Sequence, residues 1–217
     1  MSEQRFTDRT AAGRQLGVMV ARHIGTRGLD RRPLVLALPR GGVPVAAGVA
    51  AIVGGDLGLV IARKIGAPGR PELGVGAVAE DGQPVFDEDS LRELGLTQAD
   101  LAETVAAERA ELARRIQAYR GDRPAVAVMD RLVIVVDDGV ATGVTARAAL
   151  RWLRERGAHR LVLATPVCSR DADHALAADA DLVICLERPL QFGAVGRFYQ
   201  DFTQLTDDDV RAVHLIS

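Results

Sequence analysis

LVIVVDDGVATGVT, residues 132–145, runs from five apolar residues through two adjacent carboxylates into a short Gly/Thr loop that opens a helix. Leu132 to Val136 is apolar and largely β-branched without alternation, the pattern of a strand covered on both faces, as in parallel α/β sheets. Asp137 and Asp138 then stand at the strand's carboxyl end, where open α/β sheets bind their ligands. Gly139 and Gly143 accept backbone angles that other residues avoid, so the N–H groups of residues 140–145 can converge on one anion at the start of the next helix. Thr142 and Thr145 add hydroxyl donors. Carboxylates in contact with a phosphate would repel it, so the two features address different parts of one molecule or share a cation. A sugar phosphate meets that requirement.

An apolar strand, an acidic pair and a Gly-x-x-Thr-Gly-x-Thr loop resemble the phosphoribosyl-pyrophosphate (PRPP) motif of the type I phosphoribosyltransferases. The resemblance implies that Asp137 and Asp138 hold the ribose 2- and 3-hydroxyls. It assigns Val140, Ala141, Thr142, Gly143, Val144 and Thr145 to the 5-phosphate, with Gly139 also among the PRPP-binding residues. It also implies Mg²⁺ as cofactor, touched only indirectly by Asp137 and Asp138.

Two other strand ends fit the same ligand. Leu34 to Leu38 is apolar and leads into Pro39-Arg40-Gly41-Gly42 and an Ala/Val-rich helix from about Val43 to Val53. Arg40 offers a planar fork of donors suited to a diphosphate, and the glycines let the backbone approach it. This resembles the family's pyrophosphate loop, where the peptide before the glycines is often strained or cis. Leu57 to Lys64 reads as a strand ending in Arg63-Lys64, two cations that would repel unless an anion or good solvation lies between them. The resemblance makes Arg63 and Lys64 pyrophosphate ligands beside Arg40 and Gly41, with Asp137, Asp138, Arg40 and Lys64 as the catalytic set.

At 217 residues, 48% hydrophobic and 26% charged, the chain is long enough for a substantial core, and one domain is expected. A net charge of −2 argues against general binding to nucleic acid or a membrane surface. No signal peptide or membrane-length apolar run is evident, and Cys168 and Cys185 have no metal spacing, so a cytoplasmic protein with reduced thiols is expected. Strands near 34–38, 57–62, 73–79, 132–136, 160–167 and 181–186 alternate with helices near 8–26, 43–53, 97–119, 143–156 and 170–179. That alternation predicts a Rossmann-like central parallel sheet with helices on both faces.

Thr97 and Asp100 form a capping box for the 97–119 helix, whose Arg114 and Arg115 suit an active site or a solvated face equally. Gly74-x-Gly76-x-x-Ala79 imitates a dinucleotide fingerprint but falls inside a strand. Asp207 to Asp209 after Thr206 read as first-turn carboxylates. Four of the eight aromatic residues, Phe192, Phe198, Tyr199 and Phe202, crowd near the C-terminus; they suit either stacking on a flat base or a cluster that pins the tail.

The whole layout resembles a bacterial group of stand-alone predicted phosphoribosyltransferases. The resemblance implies a single domain over 1–217. Residues 65–124 would form a mobile-loop and helix insertion, and 187–217 with the N-terminal helix a hood. It implies a homodimer that moves ribose 5-phosphate from PRPP to a small nitrogenous base, with Phe192, Phe198 and Tyr199 as base contacts. Ala141 stands where 6-oxopurine enzymes of the family usually carry a third carboxylate, so any general base comes from elsewhere, with Glu80, Asp81 and Asp201 as candidates. A regulator that binds PRPP or a nucleotide without turnover, and a hydrolase of either ligand, remain as alternatives.

Overall fold

A computed structural model describes residues 6–25 and 32–213. Its centre is a five-stranded parallel sheet of β1 (Leu34–Ala37), β2 (Asp56–Leu59), β6 (Leu132–Val136), β7 (Arg160–Val167) and β8 (Leu182–Glu187), ordered β2-β1-β6-β7-β8. Every residue of β6 is buried, because both faces are covered. Leu132, Ile134 and Val136 join the core under α1 (Arg9–Ile24), α2 (Gly42–Val53) and α4 (Ala102–Arg120). Val133 and Val135 join the opposite core, where α5 (Val144–Glu155) supplies Leu150, Trp152 and Leu153. The missing alternation in the sequence is the imprint of these two cores on one strand.

The chain runs outward from β1 to β2 on one side and from β6 through β7 to β8 on the other, so the order reverses between β1 and β6. Crevices of parallel sheets open at such a reversal, beyond the carboxyl ends. The loops after β1 and β6 meet there.

The second layer departs from expectation. The strand read from Leu57 to Lys64 is broken: β2 ends at Leu59, and β3 (Ala62–Ala67) starts a separate antiparallel sheet with β4 (Arg70–Ala79) and β5 (Val85–Phe86). Val60 and Ile61 link the two sheets while fully buried, so no polar or glycine break marks the change in the sequence. Arg63 and Lys64 therefore lie inside β3, paired with Val78 and Ala77, and not at the end of a parallel strand. The 73–79 strand likewise belongs to this hairpin. Gly76 serves its packing, since a Cβ there would meet Phe86 Cδ1 at 2.8 Å.

A short helix, α3 (Glu88–Leu94), adds to the expected set, and the Thr97–Asp100 box opens a 3₁₀ turn that leads into α4. After β7 come α6 (Arg170–Leu176) and, near the C-terminus, α7 (Asp207–Arg211), closed by a capping box between Thr206 and Asp209. Cys168 and Cys185 are free and buried. His23 is exposed, and His214 lies outside the described residues. Among the described residues no helix is long and apolar enough to cross a membrane.

Candidate active site

β6 delivers Asp137 and Asp138 half-buried at the sheet's carboxyl end. The Asp138 N–H donates to Asp137 Oδ1 at 2.9 Å, which holds the two carboxylates side by side. Burial, and then the charge of Asp138, push the Asp137 carboxyl well above its ordinary value. Burial raises Asp138 as well, opposed by Arg9, whose Nε donates to Asp138 Oδ2 at 2.8 Å.

The loop that follows is held from below. The Val140 N–H donates to Val167 O, and Ser169 N–H returns to Val140 O, so Val140 is buried and its amide is already used. Ser169 Oγ donates to Ala141 O at 2.5 Å. The expected convergence of N–H groups from 140 onward is thereby shortened to residues 141–145, none of whose amides donates to another backbone group among the described residues. Gly143 takes φ +77°, a left-handed angle that favours glycine, and a Cβ there would press on Leu176 Cδ1 at 2.7 Å. Thr142 is exposed beside these amides, at the N-terminus of α5, where the helix dipole favours an anion.

The β1 loop closes against this one. Leu38 N–H donates to Val136 O, the Pro39–Arg40 peptide is cis, and a Cβ on Gly41 would lie 2.0 Å from Asp138 Oδ2. Gly41 thus lets the basic loop and the acidic pair touch.

A cleft of about 540 Å³ opens beside them, lined by Arg9, Arg40, Arg63, Arg115, Asp138 and Phe202 among others. Arg40 Nη1 lies 3.4 Å from Asp207 Oδ1, and Arg63 Nε donates to Glu108 Oε2 at 2.7 Å. Lys64 is carried elsewhere. Neighbouring residues of a strand point to opposite faces, so Lys64 leaves Arg63 and reaches Glu72, with Nζ 2.9 Å from the Glu72 carbonyl. The mutual repulsion expected of this pair is relieved by that alternation and by one carboxylate for each cation. The structure brings Arg40, Gly41, Arg63 and Asp138 to one cleft and leaves Lys64 on the far face of the hairpin.

The suggested general bases are already engaged by other groups. Glu80 is buried, accepting Ile61 N–H at 3.0 Å and pairing with Arg120 at 2.6 Å. Asp81 accepts from Trp152 Nε1 at 2.7 Å and pairs with Arg156. Asp201 is exposed and accepts from Thr203.

Of the two readings of the aromatic tail, packing favours pinning. Phe198 and Tyr199 are buried with Phe6, and Phe192 packs on Phe198 with ring centroids 5.7 Å apart. Tyr199 also donates its hydroxyl to Asp138 O at 2.5 Å. Phe202 is the exposed ring of the group, and the Arg9 guanidinium sits 3.8 Å from its centroid.

A family model described as "Phosphoribosyl transferase domain" matches residues 7–202. The chain belongs to that family. Two Mycobacterium tuberculosis proteins, from strains CDC 1551 and H37Rv, are each 42% identical to it over 207 residues, and both carry the name "Putative phosphoribosyl transferase". The match covers 95% of this chain and 46% of theirs, so the chain spans about half the length of these curated relatives. The crystal structure of TT1426 from Thermus thermophilus is 45% identical, covers 96% of each chain and superposes with a TM-score of 0.78. AQ2163 from Aquifex aeolicus, at 11% identity, 88% and 84% coverage and a TM-score of 0.52, shares the fold.

Within this phosphoribosyltransferase-family site, several residues escaped sequence reasoning. Arg9 is 129 positions from the carboxylate it holds, and only the N-cap at Asp8 marks its helix. Arg115 is indistinguishable from Arg114 until α4 is placed. Asp207 reads as a dipole carboxylate yet also reaches Arg40 and Tyr119. As for a metal, no three His, Cys, Asp or Glu side chains gather into a cage among the described residues. Two adjacent carboxylates are hard oxygen donors that fit Mg²⁺ arriving with its own ligand oxygens and water, in preference to one caged by protein.

Proposed function

We propose that this domain transfers ribose 5-phosphate from PRPP to a ring nitrogen of a small nitrogenous base and releases pyrophosphate. The observation that carries the reading is the meeting, at the β1/β6 reversal, of an acidic pair, a set of unspent amides and an arginine-lined cleft, with Gly41 in contact with Asp138. No single small ligand matches all three surfaces better than a ribose bearing a phosphate at one end and a diphosphate at the other.

In this mechanism Asp137 and Asp138 accept hydrogen bonds from the 2- and 3-hydroxyls, while residues 141–145 with Thr142 hold the 5-phosphate. Gly139 and Val140 shape that loop from behind. Arg40 and Arg63, with Gly41, receive the diphosphate, and Lys64 joins them only if the hairpin moves. Asp137 and Asp138 would help to hold Mg²⁺, which would offset charge on the leaving group. The C1–O bond to pyrophosphate breaks ahead of C–N bond formation, and the electron pair leaves with the diphosphate. The base nitrogen supplies the new pair and gives up its proton to water or to the departing pyrophosphate. Positive charge on the ribose is then stabilised by the neighbouring carboxylates, so catalysis rests on positioning and electrostatics. Water must be kept out, a task suited to residues 65–124 as a closing segment, and to the N-terminal helix with residues 187–213 as a hood over the base. Phe202, stacked under Arg9, is the ring best exposed to contact that base, with Phe192, Phe198 and Tyr199 behind it. The reading extends to a cytoplasmic homodimer.

The test is purified protein with Mg²⁺ and PRPP against a panel of purine and pyrimidine bases, measuring pyrophosphate and nucleotide together. Equal amounts of both with one base are expected. Phosphate release without nucleotide would indicate a hydrolase, binding without turnover a regulator, and no PRPP binding would overturn the assignment.

A further inference from the structure

Four guanidinium groups line the cleft; Arg9 is held by Asp138 itself, and each of the other three already has a carboxylate: Arg63 with Glu108 at 2.7 Å, Arg115 with Glu111 at 2.8 Å, Arg40 with Asp207 at 3.4 Å. All three carboxylates come from α4 and α7, none from the parallel sheet that carries the acidic pair. Asp207 is aimed with some care. The Tyr119 hydroxyl donates to its Oδ1 at 2.6 Å, Arg114 Nη1 lies 3.5 Å from its Oδ2, and the capping box fixes the turn on which it sits.

We propose that Asp207 and Glu108 are the chain's own surrogates for a diphosphate. They pair with Arg40 and Arg63 in the cleft, and a diphosphate enters by exchanging with them and engaging Arg115 as a third guanidinium. This rests on the transferase reading above and deepens it.

Exposure separates these pairs from structural ones. Side chains of Arg40 and Asp207 are 31% and 25% exposed, and those of Arg63 and Glu108 are 27% and 21%. The Glu80–Arg120 pair, which braces the hairpin, is sealed at 3% and 14%. Ion pairs open to water are weak and exchangeable, whereas a diphosphate brings more charge and several oxygens that match guanidinium forks. Position, and not exposure, distinguishes two neighbours in sequence: Arg115 lines the cleft and Arg114 does not. Net affinity for the diphosphate is then a difference between two sets of charge pairs. The carboxylates that must leave on binding return as pyrophosphate departs, which favours product release.

Calorimetric titration with Mg²⁺-pyrophosphate tests the exchange, with ribose 5-phosphate as the ligand that lacks a diphosphate. Asp207→Asn and Glu108→Gln remove charge with little change of shape. Each is expected to tighten pyrophosphate binding about threefold, and the two together about tenfold, without changing the affinity for ribose 5-phosphate. Arg115→Gln is expected to weaken pyrophosphate at least tenfold and again spare ribose 5-phosphate. A purely structural role for the carboxylates would lower both affinities or neither, and either result overturns the proposal. Should Asp207→Asn fail to fold, Glu108→Gln carries the same test alone. Wild-type protein that binds neither ligand overturns the transferase reading itself; wild-type binding with unaltered variants overturns only the exchange.

Discussion

Replacing Gly41 with alanine adds one methyl to a backbone that can accept it, because φ −58° and ψ −37° lie in right-handed helical space open to every L-residue. Backbone strain is thus removed as a cause of any effect. The new Cβ would lie 2.0 Å from Asp138 Oδ2 and 2.4 Å from its Cγ, where real contacts stay beyond 3.0 Å, so the carboxylate must retreat by at least about 1 Å. Asp138 has a short side chain, and its Oδ2 is held at 2.8 Å by Arg9 Nε, so retreat stretches or breaks a charge-assisted bond of about 1.5–3 kcal/mol. Misplacing a positioning group by about 1 Å can lower a rate by on the order of 10²-fold.

Gly41→Ala is therefore expected to weaken PRPP binding about 10- to 100-fold and to lower kcat/KM by about 10²-fold, read by calorimetry and initial rates. Gly54→Ala is the control. At φ +66° with nothing within 4 Å it strains the chain by about 1–2 kcal/mol far from the site, so the melting temperature should fall while PRPP affinity stays. PRPP binding within about threefold of wild type in Gly41→Ala would refute the claim that Asp138 is held where the ribose needs it.

Three further substitutions test the electrostatics. A carboxyl whose folded pKa lies above its unfolded value stabilises the fold fully only below the unfolded pKa, and that contribution is lost as pH rises through the folded one. Asp137→Asn should therefore raise the melting temperature of the ligand-free protein at neutral pH, with the gain shrinking toward pH 4, while the double change with Asp138→Asn abolishes PRPP binding; a gain independent of pH would contradict the assignment. Glu80→Gln leaves the partly buried Arg120 without its counter-charge, for a loss of about 3 kcal/mol in denaturant unfolding, and a loss below about 1 kcal/mol would show that the pair does not brace the hairpin.

The parallel sheet and the phosphate loop were legible because their signals are local. Leu132 to Val136 carries two cores on one strand, and Gly139 to Thr145 carries its own turn chemistry. The β3–β5 hairpin was hidden because Leu57 to Ile65 stays largely apolar while the chain changes sheets at Val60 and Ile61. α3 had its signals, Asp87 before it and Gly95 at φ +64° after it, but seven residues show too little periodicity to stand out. Arg9, Glu108, Arg115 and Asp207 could not have been found from spacing. Each meets a partner or a cleft that exists only once α1, α4 and α7 are laid over the sheet.

That division follows from how the charges balance. An acidic pair half-buried at a strand end is unfavourable by itself, and here it is tolerated because Arg9 donates to one carboxylate while the Asp138 amide donates to the other. Arg9 is fixed in turn by Thr203 O at 2.9 Å and by Phe202, so the N-terminal helix, with the tail behind it, is recruited to neutralise a carboxylate 129 positions from Arg9. Local sequence specifies the groups that face a ligand, whereas long-range packing supplies the counter-charges that let those groups persist without one. A substitution in the second set should therefore alter affinity through the empty state of the site more than through contact with the ligand.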